Sequence, residues 1–206
     1  MRQEEKTELT KAKILHAAME EFGSNGYDNG SINNICKRGI NKGLIYHNFK
    51  DKDELYLICV KKSCDSFMQF MKSENAEKDM EQYMNVRMRF FKKNASETHI
   101  FFEALLNPPE HLREQIRENT KDFESLNLRM YQKTVSELSL RDNISEEDAL
   151  RYFSLFQEMF NGYFSSPAFR AMGFEEKVKA HETSIPKILD FMLYGIAKRK
   201  EENELW

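Results

Sequence analysis

The chain has 206 residues, enough for one mid-sized domain or for a small domain fused to a larger one, and long enough to bury a core of its own. Apolar residues at 40% beside 32% charged residues, with 16 Phe and 11 Met, exclude a disordered chain and suit a globular protein built from amphipathic elements. The net charge of −3 gives no overall basic character, so any basic stretch calls for an explanation of its own.

In chain order, Thr10 is placed to cap a first helix whose apolar residues Ile14, Leu15, Ala18 and Phe22 recur at helical spacing, with Asn25-Gly26 as its left-handed stop. Ser31 caps a second, carrying Ile32, Ile35 and Cys36 and ending near Gly39. Asn41 caps a third, Lys42 to Asn48, with Ile45 and Phe49 turned inward. The D-x-x-E pattern of Asp51 and Glu54 opens a fourth that runs to about Lys72. Further helices are expected at 77–94, 97–106, 110–140 with a break near Asn119 or Asn127, 146–165 and 175–201. Pro108-Pro109 ends one element. Pro186 is expected to break the last, with Ser184 capping a separate terminal helix. β-branched residues are sparse and apolar residues do not alternate, so the fold class is all-α. Five of the eight glycines lie between 23 and 43 and no proline precedes 108, which divides the chain into 1–50, with short elements, and 51–206, with long ones.

Cys36, Cys59 and Cys64 are an odd number without C-x-x-C spacing, and no apolar stretch of signal-peptide type follows MRQEEK, so a cytoplasmic protein is expected. The longest apolar candidate for a membrane span, FMLYGIA at 191–197, is short and interrupted by Gly195.

The stretch from Gly30 to Lys50 carries Lys37, Arg38, Lys42 and Lys50 and no acidic residue; removing those four charges from the net −3 leaves −7 for the rest. Two short helices joined by a Gly-containing turn, after a packing helix, describe a helix-turn-helix whose second helix enters the DNA major groove. Lys42, His47, Lys50 and Lys52 are placed to reach phosphates, Tyr46 offers a hydroxyl, and Ser31 stands at a helix N-terminus. The competing view is that a run of this charge is only a solvated face.

The order ILHAAMEEFGSNGY, SINNICKRGI, NKGLIYHNFKDKDELY resembles the DNA-binding domain of the tetracycline-repressor (TetR) family over about 50 residues. The resemblance rests on Ile14, Ala17-Ala18 and Phe22, on Gly26-Tyr27, Ile35 and Gly39, and on the K-G-x-x-Y-x-x-F-x-x-K-x-x-L core from Lys42 to Leu55. It implies that Ser31, Lys42, Tyr46, His47 and Lys52 touch phosphates or groove edges, with Asn41, Leu44 and Lys50 completing the DNA-binding set, while Phe22, Ile35, Ile45 and Phe49 hold the helices together. Two departures stand out. Leu44 replaces the usual Ser or Thr two residues before the Tyr, exchanging a hydroxyl for an apolar contact such as a thymine methyl. The interval from Ile35 to Tyr46 is one residue short, with Arg38 in place of the small residue before Gly39, and a deletion there rotates one helix against the other by up to about 100° unless the turn absorbs it. An alternative function follows from the second: a ligand-binding or interaction protein of the same fold with weakened or lost DNA binding.

The resemblance further implies a homodimer on a palindromic operator and a small-molecule effector, with no metal or other cofactor. Phe and Met in excess of one helix face mark a lipophilic or aromatic effector site at Met84, Met88, Phe91, Phe102, Phe123, Met130 and Phe160, against the plainer reading of a filled core. Stripes on two late helices mark a dimer interface at Phe153, Phe156, Ile188, Leu189, Met192 and Ile196. Coupling between sites is expected through the helix that begins at Asp51. The sequence holds no G-x-S-x-G, Gly-rich phosphate loop or H-E-x-x-H, and its five histidines are too scattered for a triad, so no enzyme is expected. His99 and Glu103 share a helix face at i, i+4, a spacing seen in metal ligands and more often in a plain surface or core-edge pair.

Overall fold

The computed structural model describes residues 3–170 and 172–196. Among them the chain is helical, with no β-strand: α1 Gln3–Asn29, α2 Ile32–Cys36, α3 Lys42–Asn48, α4 Lys52–Ser73, α5 Met80–Lys93, α6 Ala95–Leu106, α7 Arg113–Ser136, α8 Glu146–Phe164, α9 Pro167–Arg170 and α10 Phe174–Ile196. Short 3-10 turns at Ala76–Lys78 and Glu110–Leu112 precede α5 and α7.

Several helix ends follow the expected chemistry. The Ser31 hydroxyl accepts from Asn34 N at 3.1 Å, and the Asn41 side chain accepts from Gly43 N at 2.7 Å. Asp51 accepts from Glu54 N at 2.9 Å, while Glu54 reaches back to the backbone N–H of Lys50. Ser145 and Asp148 form a reciprocal capping box that starts α8.

Other expectations are corrected. Thr10 does not cap α1; it lies inside the helix and its hydroxyl donates to Lys6 O at 2.8 Å. The helix expected at 77–94 starts at Met80, because Asp79 caps it by accepting from Gln82 N at 2.7 Å. No break occurs in α7: Asn119 spends its amide on Leu57 O at 3.2 Å, and Asn127 accepts from the Tyr83 hydroxyl, so neither competes for the local backbone. α10 runs through Pro186. The lost helical bond, about 3 kcal/mol, is outweighed because buried Glu182 on one side and buried Leu189 on the other anchor the same helix. The end expected at 201 lies outside the described residues.

The chain forms two compact units. The first comprises 1–70 with 89–123. Its head buries Ile14, Ala18, Phe22, Ile35, Ile45, Phe49 and Leu55, and its lower part is a packed ring cluster around Phe67. Phe90, Phe91, Phe101 and Phe123 lie 5.2–5.6 Å from Phe67, mostly at edge-to-face or tilted angles. Burying each such side chain stabilises the fold by roughly 1.5–3 kcal/mol.

The second unit comprises 71–88 with 124 onward. Tyr131 and Phe153 stack at 3.9 Å in an apolar core with Val135, Ala149 and Leu189. Beside it runs a buried polar chain. Arg87 Nε and Nη2 donate to Glu182 at 2.8 and 2.9 Å, His181 Nδ1 lies 3.0 Å from the same carboxylate, and Tyr83 donates to Asn127. Burial alone would raise the Glu182 carboxyl, yet Arg87 and the hydrogen bonds hold it well below the usual range; burial lowers the His181 pKa against the opposing pull of Glu182.

Candidate nucleic-acid interface

α1 sets α2 in place through buried Glu21, whose Oε1 accepts from Ser31 N at 3.2 Å and from Asn34 Nδ2 at 2.9 Å. α2 is only five residues long. Its exit is wound tightly by i to i+3 bonds, Arg38 N to Ile35 O and Gly39 N to Cys36 O, both 3.1 Å. Gly39 then takes φ +83°, a left-handed turn that a Cβ would strain. Arg38, standing where a small residue was expected, points away from the turn and pairs with Glu20 at 2.6 Å.

This turn lies within the interval from Ile35 to Tyr46 that was expected to be one residue short. Ile35 and Ile45 are 0% and 1% exposed, so both helices still face the head's core. The opposite face of α3 is left to solvent: Lys42, His47 and Asn41 are exposed, and so are Leu44 at 46% and Tyr46 at 50%. Asn33 on α2, which the sequence did not single out, accepts from Lys42 Nζ at 3.0 Å and restrains it. Ser31 is half-buried, Lys50 exposed, and Lys52 sits 4.1 Å above the Tyr27 ring in a cation–π contact. The neighbouring surface is of opposite character. An open groove of about 880 Å³ along α4 and the start of α7 is lined by Asp51, Asp53, Glu54, Glu114 and Glu118, against Lys50 and Lys61. Carboxylates outnumber cations along that groove, which sets it apart from the cationic stretch of α2 and α3.

Residues 14–58 match the family model for bacterial regulatory proteins of the tetR family, and 74–195 match that for the tetracyclin repressor-like C-terminal domain. The chain belongs to the TetR family. No curated protein matches it. Among solved structures it is similar to the transcriptional regulator FadR from Bacillus subtilis in complex with stearoyl-CoA, at 17% identity and a TM-score of 0.63, over 90% of this chain and 99% of that one. It is similar also to the fatty acid degradation regulator FadR from Bacillus halodurans, at 15% and 0.61, over 90% and 99%. A TetR regulator from Chloroflexus aurantiacus matches at 21% and 0.57, over 93% and 95%.

For a TetR protein the other two residue sets fall as follows. Phe91, Phe102 and Phe123 lie in the ring cluster of the first unit, with Phe91 and Phe102 at 5.0 Å. Met84, Met130 and Phe160 belong to the second unit, where Met84 packs on the Tyr131 core and Phe160 meets the His181 ring at 4.8 Å; Met88 is exposed. Phe153 and Leu189 lie within the chain's own core, with Phe156 and Met192 packed against it, and Ile188 is exposed. The Ile196 side chain lies outside the described residues. Among the described residues, Ile188 of that set is left open together with apolar residues outside it: Tyr152, Leu155, Met159 and Tyr163 on α8, and Phe191 and Tyr194 on α10. The signal of the α8 residues in the sequence is the spacing 152, 155, 159, 163, as regular as that of the inward stripe. His99 and Glu103 both turn to α1, at Gly23 O and Tyr27 N.

Proposed function

We propose that this TetR-family protein is a cytoplasmic repressor that binds a palindromic operator as a homodimer and is controlled by a small lipophilic or aromatic effector. Residues 1–50 read the DNA, and residues 51–206 hold the effector and pair the subunits. The observation that carries the reading is the solvent face of α3, where Lys42, Leu44, Tyr46 and His47 project while Ile45 and Phe49 fix the helix from behind. Lys42, Lys50 and Lys52 contact phosphates, Ser31 and Asn41 offer helix N-termini, and Leu44 and Tyr46 reach base edges. The operator-free alternative requires the short turn to swing one helix out of register, and buried Ile35 and Ile45 speak against it.

Pairing is supported by the open apolar face of α8 and α10, where Phe191 and Met159 are 80% and 66% exposed. Monomeric proteins rarely leave contiguous apolar patches of this kind. A two-fold operator needs two recognition helices, which a symmetric dimer provides. The lipophilic effector is supported by the Phe and Met content of the C-terminal helices and by the stearoyl-CoA bound to the similar Bacillus subtilis regulator. Selection from random duplex DNA with the purified protein tests the proposal. Enrichment of an inverted repeat with half-site centres one helical turn apart is expected, and a pool that stays unenriched would refute it.

A further inference from the structure

The junction of α1 with α6 is tighter than an ordinary helix contact. Gly23 and Gly26 lie on α1, and Ser96, His99 and Glu103 stand at i, i+3 and i+7 on α6. A Cβ on Gly23 would come within 2.5 Å of Ser96 Cβ, and one on Gly26 within 2.5 Å of Glu103 Oε1. Gly26 also holds φ +68° and ψ −174°, a conformation open essentially to glycine alone, which breaks the helix at that point.

In an unbroken helix the Tyr27 N–H would donate to Gly23 O. Here that donor and that acceptor both find partners on α6. The Tyr27 N–H donates to both Glu103 oxygens, at 2.8 and 2.9 Å, and Gly23 O lies 2.6 Å from His99 Nδ1, which must carry the proton to make that contact. A third element joins through Tyr56 of α4, whose hydroxyl donates to Glu103 Oε2 at 2.7 Å. Tyr27 is secured at its other end as well: its hydroxyl bonds Asp53, and its ring meets that of Tyr56 at 5.0 Å. One carboxylate thus gathers α1, α4 and α6. Burial pushes its pKa up, and the bonds from Tyr56 and Tyr27 pull the other way.

We infer that Glu103 is a positioning residue for operator recognition, fixing the three-helix head to α6 so that the recognition helix moves with α6 as one body. The inference rests on the operator-binding homodimer proposed above. Without the carboxylate, Tyr27 N–H and the Tyr56 hydroxyl lose their acceptor, and the head must be oriented at the moment of binding. A half-site tolerates this, since one head can turn to suit it. A palindrome does not, because the second head binds at an effective concentration set by how well its position is fixed.

The test compares the wild type, Glu103→Ala, Glu103→Gln and Tyr56→Phe on a selected palindromic duplex and on a single half-site duplex, by fluorescence anisotropy, with folding checked by circular dichroism. Glu103→Ala is expected to lose roughly tenfold or more on the palindrome and less than about twofold on the half-site. Glu103→Gln, which keeps one oxygen for Tyr27 N–H, recovers most of the loss, and Tyr56→Phe shows a small loss in the same direction. A merely structural role would lower the thermal midpoint without separating the two duplexes. The inference is overturned if a folded Glu103→Ala matches the wild type on the palindrome or loses equally on both duplexes. Should that variant not fold, equal behaviour of Tyr56→Phe and wild type on both duplexes overturns it. A wild type that binds no selected duplex removes the operator reading itself, an outcome visible before any variant is made.

Discussion

Glu182→Gln probes the buried polar chain of the second unit with almost no change of shape. Arg87 and Glu182 are 4% and 6% exposed and joined by two bonds of 2.8 and 2.9 Å, so the substitution leaves a guanidinium buried without its counter-charge. Breaking a buried pair from one side costs about 3–5 kcal/mol. For a chain of this length about 1 kcal/mol moves the thermal midpoint by 2–4 °C, so a fall of roughly 6–20 °C is expected by differential scanning calorimetry. The double variant Arg87→Met, Glu182→Leu removes both charges and should recover most of that loss, since a well-packed apolar pair is often as stable as the ions it replaces. The pH dependence has a definite sign. Glu182 titrates lower in the folded chain than unfolded, so its contribution is present above the ordinary carboxylate pKa of about 4.3 and is lost as pH falls below it. His181 is likewise lowered, and its contribution is lost as pH falls through about 6.5. Both make the wild type less stable in acid. A Glu182→Gln protein that melts within about 2 °C of the wild type would refute the reasoning, because the pair would then not be the desolvated one described.

Lys42→Ala and Lys52→Ala should each weaken binding to every DNA sequence and flatten the salt dependence by about one unit, read from anisotropy titrations over a range of salt; the Lys52 change also removes its contact with the Tyr27 ring. Met159→Glu and Phe191→Glu, which place a charge on the open face of α8 and α10, should give folded monomers by analytical ultracentrifugation, and dimers that persist in both would place the interface elsewhere. Gly26→Ala should destabilise the chain by about 1–3 kcal/mol from backbone strain alone, with the Glu103 collision added, and a thermal midpoint equal to the wild type would contradict the geometry of the break.

Much of the head was legible because its signals are local. Ser31 and Asn41 cap by their own side chains, Ile14 is buried, and so are Phe22, Ile35, Ile45 and Phe49 at the positions that the resemblance assigns to packing. What local signals miss are choices decided by tertiary contacts. Pro186 reads as a break until Glu182 and Leu189 are known to be buried on either side of it. On α8 two apolar stripes have equal claim to helical period; Ala149, Phe153 and Phe160 turn inward while Tyr152, Leu155, Met159 and Tyr163 face out, and periodicity does not say which stripe serves the chain's own core. The α1–α6 junction left a trace that is clear only in hindsight, two glycines three apart on one helix and Ser96, His99 and Glu103 on one face of another.

The most direct test of the central claim, that the exposed face of α3 reads DNA, is the affinity of the wild type for a selected palindromic duplex and for a scrambled one as salt is raised. Specific protein–DNA complexes bind typically 10³-fold or more tighter than the same protein binds unrelated sequence, and their log affinity falls linearly with log salt. That separation is the expected result, with Tyr46→Phe and Leu44→Ala narrowing it while the fold is kept. Equal affinity for the two duplexes, or none for either, would contradict the claim.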